Sequence, residues 1–245
     1  MFEKLKEEVY RANMMLKEHG LVVLTWGNVS GIDENREYVA IKPSGVEYGS
    51  LTPENMVVVN MQGEVAEGNL KPSSDTATHL ELYKEYEEIG GVCHTHSMYA
   101  TSFAQAYWNK PQLGALGTTH ADYFDGAVPC TRPMKKKEIE GDYEKNTGLV
   151  IIETLKKSKK SPSDMPAVLV RSHGPFTFGK NAEKAVEHSI ILENVAQMAF
   201  NAKIITNVAY TKYEMPKELL SKHFDRKHGA GAYYGQVDKP IDKNK

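Results

Sequence analysis

The sequence predicts one mixed α/β domain, and three observations carry that expectation. Short runs rich in Val and Ile alternate with longer segments of helical periodicity. The 245 residues, 40% of them hydrophobic, suffice for one sizeable core. No internal repeat and no convincing linker divides the chain.

The elements follow in order. Residues 3–19 place Leu5, Val9, Ala12 and Leu16 at helical spacing, with Gly20 as the stop. Leu21–Trp26 is apolar and β-prone and reads as a strand broken by Gly27-Asn28. Tyr38–Ile41 reads as a second strand, Thr52-Pro53-Glu54 as a short helical start, and Met56–Asn60 as a third strand. Gln62-Gly63 makes a hairpin tip, with 64–66 returning. Pro72-Ser73-Ser74-Asp75 opens a helix carrying His79, Leu80, Leu82, Tyr83 and Tyr86. A strand over 91–96 and a helix over 97–108 come next. Residues 109–133, rich in Gly, Thr and Pro, read as irregular. A helix over 143–157, a loop over 158–166, a strand over 167–171 and helices over 181–203 and 216–227 complete the chain. The domain is expected to span 1–236, with 237–245 a disordered charged tail.

Composition narrows the function. A net charge of −2 gives no electrostatic footprint for nucleic acid or an anionic membrane. The run Lys135–Lys137 is flanked by Glu138 and Glu140 and reads as a solvated face. No stretch approaches the ~20 apolar residues of a membrane span. The N-terminus lacks the apolar core of a signal peptide. The two cysteines make no disulfide framework. A cytoplasmic protein is expected.

The chemistry concentrates in His94-Thr95-His96. On a strand these two imidazoles share a face, with Cα atoms roughly 6.5–7 Å apart, close enough to meet one divalent cation. Cys93 points the other way and reads as a buried thiol. A third imidazole, His173, follows the apolar run Ala167–Val170. Three neutral imidazoles with open positions describe a catalytic metal site. Packing histidines and a turn cap are the alternative. Three loops share a second character: Gly27-Asn28, Lys42-Pro43-Ser44-Gly45 and Pro72-Ser73-Ser74-Asp75. Free amides, hydroxyls and a lysine suit an anion, yet the same residues make ordinary turns. The phosphate reading holds only if the three loops converge.

These motifs, together with Leu24–Ser30, Thr119–Phe124, Ser172–Pro175 and Ala232–Gln236, resemble the class II aldolase and epimerase superfamily, and within it the L-ribulose-5-phosphate 4-epimerases. The resemblance runs in order over about residues 1–236. It implies an α/β/α fold with a mainly antiparallel central sheet flanked by helices. It implies a homotetramer with active sites between subunits, and one divalent metal per subunit, Zn2+ or another divalent ion. By matching position, the metal residues are Asp75, His94, His96 and His173. The substrate and phosphate residues are Gly27, Asn28, Lys42, Ser44, Gly45, Ser73, Ser74, His223 and Arg226. Asp122 and Tyr234 are the acid/base pair. The partner is a sugar phosphate, with no nucleic acid and no membrane, and the reaction is epimerisation by cleavage and re-formation of a carbon–carbon bond. Fuculose-phosphate aldolases resemble the chain at the histidines but carry Glu where it has Asp75. A non-catalytic module of the adducin head type is the rival from another class.

Overall fold

The computed structural model describes residues 2–106, 112–206, 215–229 and 232. Tyr234, Trp108 and the tail 237–245 lie outside the described residues.

Helix α1 (Glu3–Glu18) buries Val9, Ala12 and Leu16, the stripe its sequence spacing marks. The run Leu21–Trp26 is not a strand. Leu24 has φ +54 and is 70% exposed, and Trp26 is 52% exposed, so the segment turns outward as a loop. The first strand, β1, lies just beyond it at Asn28–Ile32. β2 (Tyr38–Ile41) is followed by single helical turns at Tyr48–Ser50 and Pro53–Asn55. β3 (Val57–Asn60) and β4 (Val65–Glu67) form the expected hairpin. Then come α2 (Thr76–Glu85), β5 (Gly91–His94) and α3 (Met98–Gln105). The stretch expected to be irregular holds three short elements: β6 (Gln112–Leu113), α4 (Thr118–Ala121) and β7 (Val128–Pro129). α5 (Lys136–Glu140), α6 (Tyr143–Ser158) and β8 (Ala167–Leu169) follow. β9 (Pro175–Gly179) was hidden by its leading Gly174-Pro175, although Pro is tolerated as the first residue of a strand. α7 (Ala182–Thr206) and α8 (Lys217–His228) close the described chain.

Seven strands form one sheet in the order β4-β3-β2-β1-β5-β9-β8, and every neighbouring pair is antiparallel. Alternation along the strands splits the core in two. Val39, Val57, Val59 and Val92 join Leu80, Tyr83, Phe103, Ile151 and Leu155 on one face. Ala40, Val58, Val29 and Cys93 join Val9, Leu16, Ala185 and Val186 on the other. Cys93 therefore faces away from the histidines, and burial pushes its thiol up to about 12. Helices cover both faces, as the α/β/α expectation requires. No helix among the described residues is long and apolar enough to cross a membrane.

Candidate metal and phosphate site

His94 ends β5, His96 lies two residues further in the loop before α3, and His173 sits in the turn joining β8 to β9. The β5–β9 pairing brings the two loops together. The ring centroids are 4.9, 4.7 and 5.1 Å apart for the pairs 94–96, 94–173 and 96–173. One ligand atom from each residue lies within 4.8 Å of the others. His94 Nδ1 donates to the Pro175 carbonyl at 2.9 Å, which leaves Nε2 with its lone pair. That Nε2 is 3.0 Å from Nε2 of His96. Two nitrogens so close need a proton or a cation between them. His94 is buried, and burial pushes it down to about 3. Burial lowers His96 and His173 too, so all three are neutral at pH 7 and able to ligate. Nδ1 of His173 is buried with no hydrogen-bond partner among the described residues. Three convergent neutral imidazoles, one with an orphaned nitrogen, fit a divalent cation with open coordination positions.

Asp75 stands beside this cluster rather than inside it. It precedes α2 but does not cap it; its Oδ2 instead accepts from Asn28 Nδ2 at 2.6 Å. Burial opposes its ionisation, while His94, His79, the Asn28 amide and His173 hold the carboxyl below the usual range.

The three polar loops converge. Asn28 Nδ2 reaches Ser73 Oγ at 3.0 Å. Pro43 and Pro72 bridge the other two loops, where Ser44 N–H donates to Lys71 O at 2.9 Å and Ser73 N–H to Lys42 O at 3.1 Å. Ser44, Gly45 and Ser74 are exposed at the mouth, and Asn28, Lys42 and Ser73 are buried below. Lys42 Nζ lies 4.9 Å over the Tyr48 ring, with long contacts to the Thr25 and Pro43 carbonyls at 3.3 and 3.4 Å. Burial lowers its pKa from the usual 10.5 to about 8. A buried ammonium with only weak acceptors is a ready anion partner. Gly27 links the two halves. Its φ is +76, and a Cβ there would come within 2.9 Å of the His94 carbonyl.

Asp122, His223 and Arg226 also come together, but elsewhere. Arg226 grips the Asp122 carboxylate with contacts of 2.6–3.0 Å, and His223 Nδ1 lies 3.0 Å from Oδ1. Burial pulls against ionisation, but the Arg226 and His223 hydrogen bonds hold Asp122 below the usual carboxylate range. His120, a candidate to orient Asp122, spends its Nε2 on the Gly126 carbonyl at 2.7 Å. His228 instead reaches the Asp122 backbone carbonyl at 2.9 Å.

The sequence did not point to the support beneath the site. Asp75, His79 and Tyr83 are four apart and share one face of α2. His79 Nδ1 meets Ser30 Oγ at 2.7 Å, and Ser30 Oγ meets Tyr83 OH at 2.8 Å. His79 is fully buried. Phe176 stacks on His94 with centroids 4.2 Å apart and an interplanar angle of 16°. The period-four spacing on α2 was the available signal; the Phe176 stack left none.

An antiparallel sheet between helices thus carries three convergent histidines beside a polar cradle, an α/β/α architecture with a candidate cation site. The profile of the Class II Aldolase and Adducin N-terminal domain family matches residues 7–200, and the chain belongs to that family. Among solved structures, an L-fuculose 1-phosphate aldolase is similar at 24% identity, covering 91% of this chain and 95% of its own, with a TM-score of 0.71. YgbL from Klebsiella pneumoniae is similar at 22% identity, covering 91% and 99%, with a TM-score of 0.71. The L-fuculose-1-phosphate aldolase from Thermus Thermophilus is similar at 22% identity, covering 85% and 100%, with a TM-score of 0.65.

Proposed function

We propose that the chain is a cytoplasmic, metal-dependent epimerase interconverting L-ribulose 5-phosphate and D-xylulose 5-phosphate. The observation that carries this reading is the convergence of the phosphate loops on the histidine cluster, with the short acid Asp75 between them. Carbon 4 of a ketose phosphate is not adjacent to the carbonyl, so its hydrogen is not acidic and simple deprotonation cannot invert it. Removing the proton of the C4 hydroxyl lets the C3–C4 bond break. The C4 oxygen becomes the aldehyde of glycolaldehyde phosphate, and the bonding pair stays on the enediolate of dihydroxyacetone. Rotation of the aldehyde and re-addition through its other face return the opposite configuration and consume one proton at the C4 oxygen. A divalent cation held by His94, His96 and His173 would act as a Lewis acid toward the developing enediolate charge.

The chain's own residues do the rest. Lys42, Asn28, Ser44, Gly45, Ser73 and Ser74 retain the phosphate so that the fragment recombines rather than escapes. Asp122, held ionised by Arg226 and His223, accepts the C4-hydroxyl proton in one direction and returns it in the other. Tyr234 is its counterpart on the other face of the aldehyde, since a phenol ordinarily keeps its proton at neutral pH. The Asp122 cluster is built between α4 and α8, not on the strands and loops that carry the histidines. In this reading a neighbouring copy in a homotetramer brings it, with Tyr234, to the site.

The rival reading is a fuculose-phosphate type aldolase, favoured by the similarity to solved aldolases of that name. Metal-loaded protein incubated with each sugar phosphate separates them. Formation of D-xylulose 5-phosphate from L-ribulose 5-phosphate supports the epimerase. Cleavage of L-fuculose 1-phosphate with no epimerisation overturns it in favour of the aldolase, and no turnover of either favours a binding module. Asp75→Glu, which restores the aldolase-type acid, should lower epimerisation more than a surface change would. Unaltered epimerisation would remove Asp75 from the argument.

A further inference from the structure

The loop that carries His96 has no cap of its own. α3 begins two residues after His96, with Ser97 at its N-cap position. The Ser97 side chain makes no cap bond, and its Oγ is buried without a hydrogen-bond partner among the described residues. The missing cap arrives from α7. One carboxylate oxygen of Glu193 accepts from the Tyr99 N–H at 2.8 Å and the other from the Ala100 N–H at 2.9 Å. Both oxygens are thus committed to the first turn of α3, where a negative charge also complements the helix dipole.

The same helix holds the loop of the third histidine. Ser172 N–H donates to the Ala104 carbonyl at 3.1 Å, and the Arg171 guanidinium donates to the Ala106 carbonyl. A Cβ on Gly174 would meet Thr101 Oγ1, also on α3, at 3.4 Å. α3 therefore ties the His96 loop at its start to the His173 loop near its end. α7, anchored in both cores, fixes α3 in turn. His94, by contrast, is held by the sheet and the Pro175 carbonyl and needs no such tie.

We propose that Glu193 is a positioning residue for the histidine cluster: by capping α3 from α7, it sets the separation of His96 and His173. Glu193 touches no ligand atom; it acts through the helix. The inference rests on the histidine cluster being a cation site, and the test separates the two. Full-length wild type, Glu193→Gln and Glu193→Ala are titrated with Co2+, reading d–d absorption, while hydrogen exchange follows the Tyr99 and Ala100 amides. Wild type should take up one Co2+ per chain. Glu193→Ala should expose both amides to exchange and weaken Co2+ binding by about 10–100-fold, the range for groups that orient metal ligands. Its Co2+ spectrum should also change, because His96 no longer sits at its proper distance. Glu193→Gln, which keeps one acceptor oxygen, should fall between. If Glu193→Ala does not fold, Glu193→Gln decides alone. Wild-type Co2+ affinity and spectrum in a folded variant, with only a lower melting temperature, would make the contact merely structural and overturn the positioning role. Wild-type protein that takes up no Co2+ would overturn the cation site and the positioning role with it.

Discussion

The cradle of histidines and polar loops and the Asp122 cluster are built by different means. The cradle is backbone-made. β1 pairs with β5 so that Asn28 lies opposite His94, and β5 pairs with β9 so that His94 lies opposite Phe176. Sheet register sets Asn28 and His94, which a one-residue slip would turn to the opposite face, while α3 ties the loops of His96 and His173 to them. The Asp122 cluster is made of side chains. α4, a single turn, faces α8 through Arg226 and His223, whose bonds to Asp122 span 101–104 residues. Groups set by register are held rigidly and tolerate little, whereas a side-chain cluster between α4 and α8 can be presented to a different copy of the chain.

The largest expected effect breaks the cradle. His96→Ala should lose the bound divalent ion and reduce turnover by at least about 10³-fold, the several kcal/mol a Lewis acid supplies. Elemental analysis and activity on one sample check both. Next comes the cluster. Asp122→Asn and Tyr234→Phe should each cut turnover by on the order of 10²–10⁴ while leaving metal content unchanged. The comparison sharpens when the lesions are mixed. His96→Ala chains reassociated with Asp122→Asn chains should regain activity, since some interfaces unite an intact cradle with an intact cluster. No recovery in verified mixed oligomers would put both regions in one chain's site.

Lys42 gives a smaller and opposite effect. Its folded pKa, about 8, lies below the usual 10.5, so the folded chain sheds this proton before the unfolded chain does. Its burial penalty is fully present at pH 7 and is relieved as pH rises from about 8 toward 10.5. Lys42→Met should therefore stabilise the ligand-free protein by on the order of 2 kcal/mol at pH 7. The same change should abolish phosphate binding, which in wild type should weaken above pH 8 as Lys42 loses its charge. Chemical denaturation and phosphate calorimetry across pH 7–10 read both. The smallest effect falls on Ser73. Ser73→Ala should weaken substrate binding by about 1 kcal/mol, one hydrogen bond's worth, and show no effect on the unphosphorylated sugar. Equal efficiency with the free sugar would reduce these loops to turns.

Much of this was legible because it was local. The stripe of α1, the hairpin at Gln62-Gly63, and the His94-x-His96 pair followed from short-range periodicity. The run Leu21–Trp26 misled because β propensity rewards apolar residues wherever they lie. The strand fell instead on Asn28–Ile32, whose Asn, Ser and Gly look like a turn but carry a site residue and a buried hydroxyl. Convergence of the loops, the Tyr83–Ser30–His79 chain and the Glu193 cap join residues from 27 apart (Ser44 and Lys71) to 94 apart (Tyr99 and Glu193), which no window contains. The pairing of Asp122 with His223 and Arg226 on α8 was not legible, because ion-pair partners leave no spacing to read.

The rung joining Asn28 to His94 also makes the cradle a ruler. Cation and phosphate would grip opposite ends of one substrate, and a single antiparallel rung with Gly27 pressed against the His94 carbonyl fixes the interval between them. A chain of this build that came to accept a longer or shorter sugar phosphate would have to move the loops at 42–45 and 72–75, and leave the rung alone.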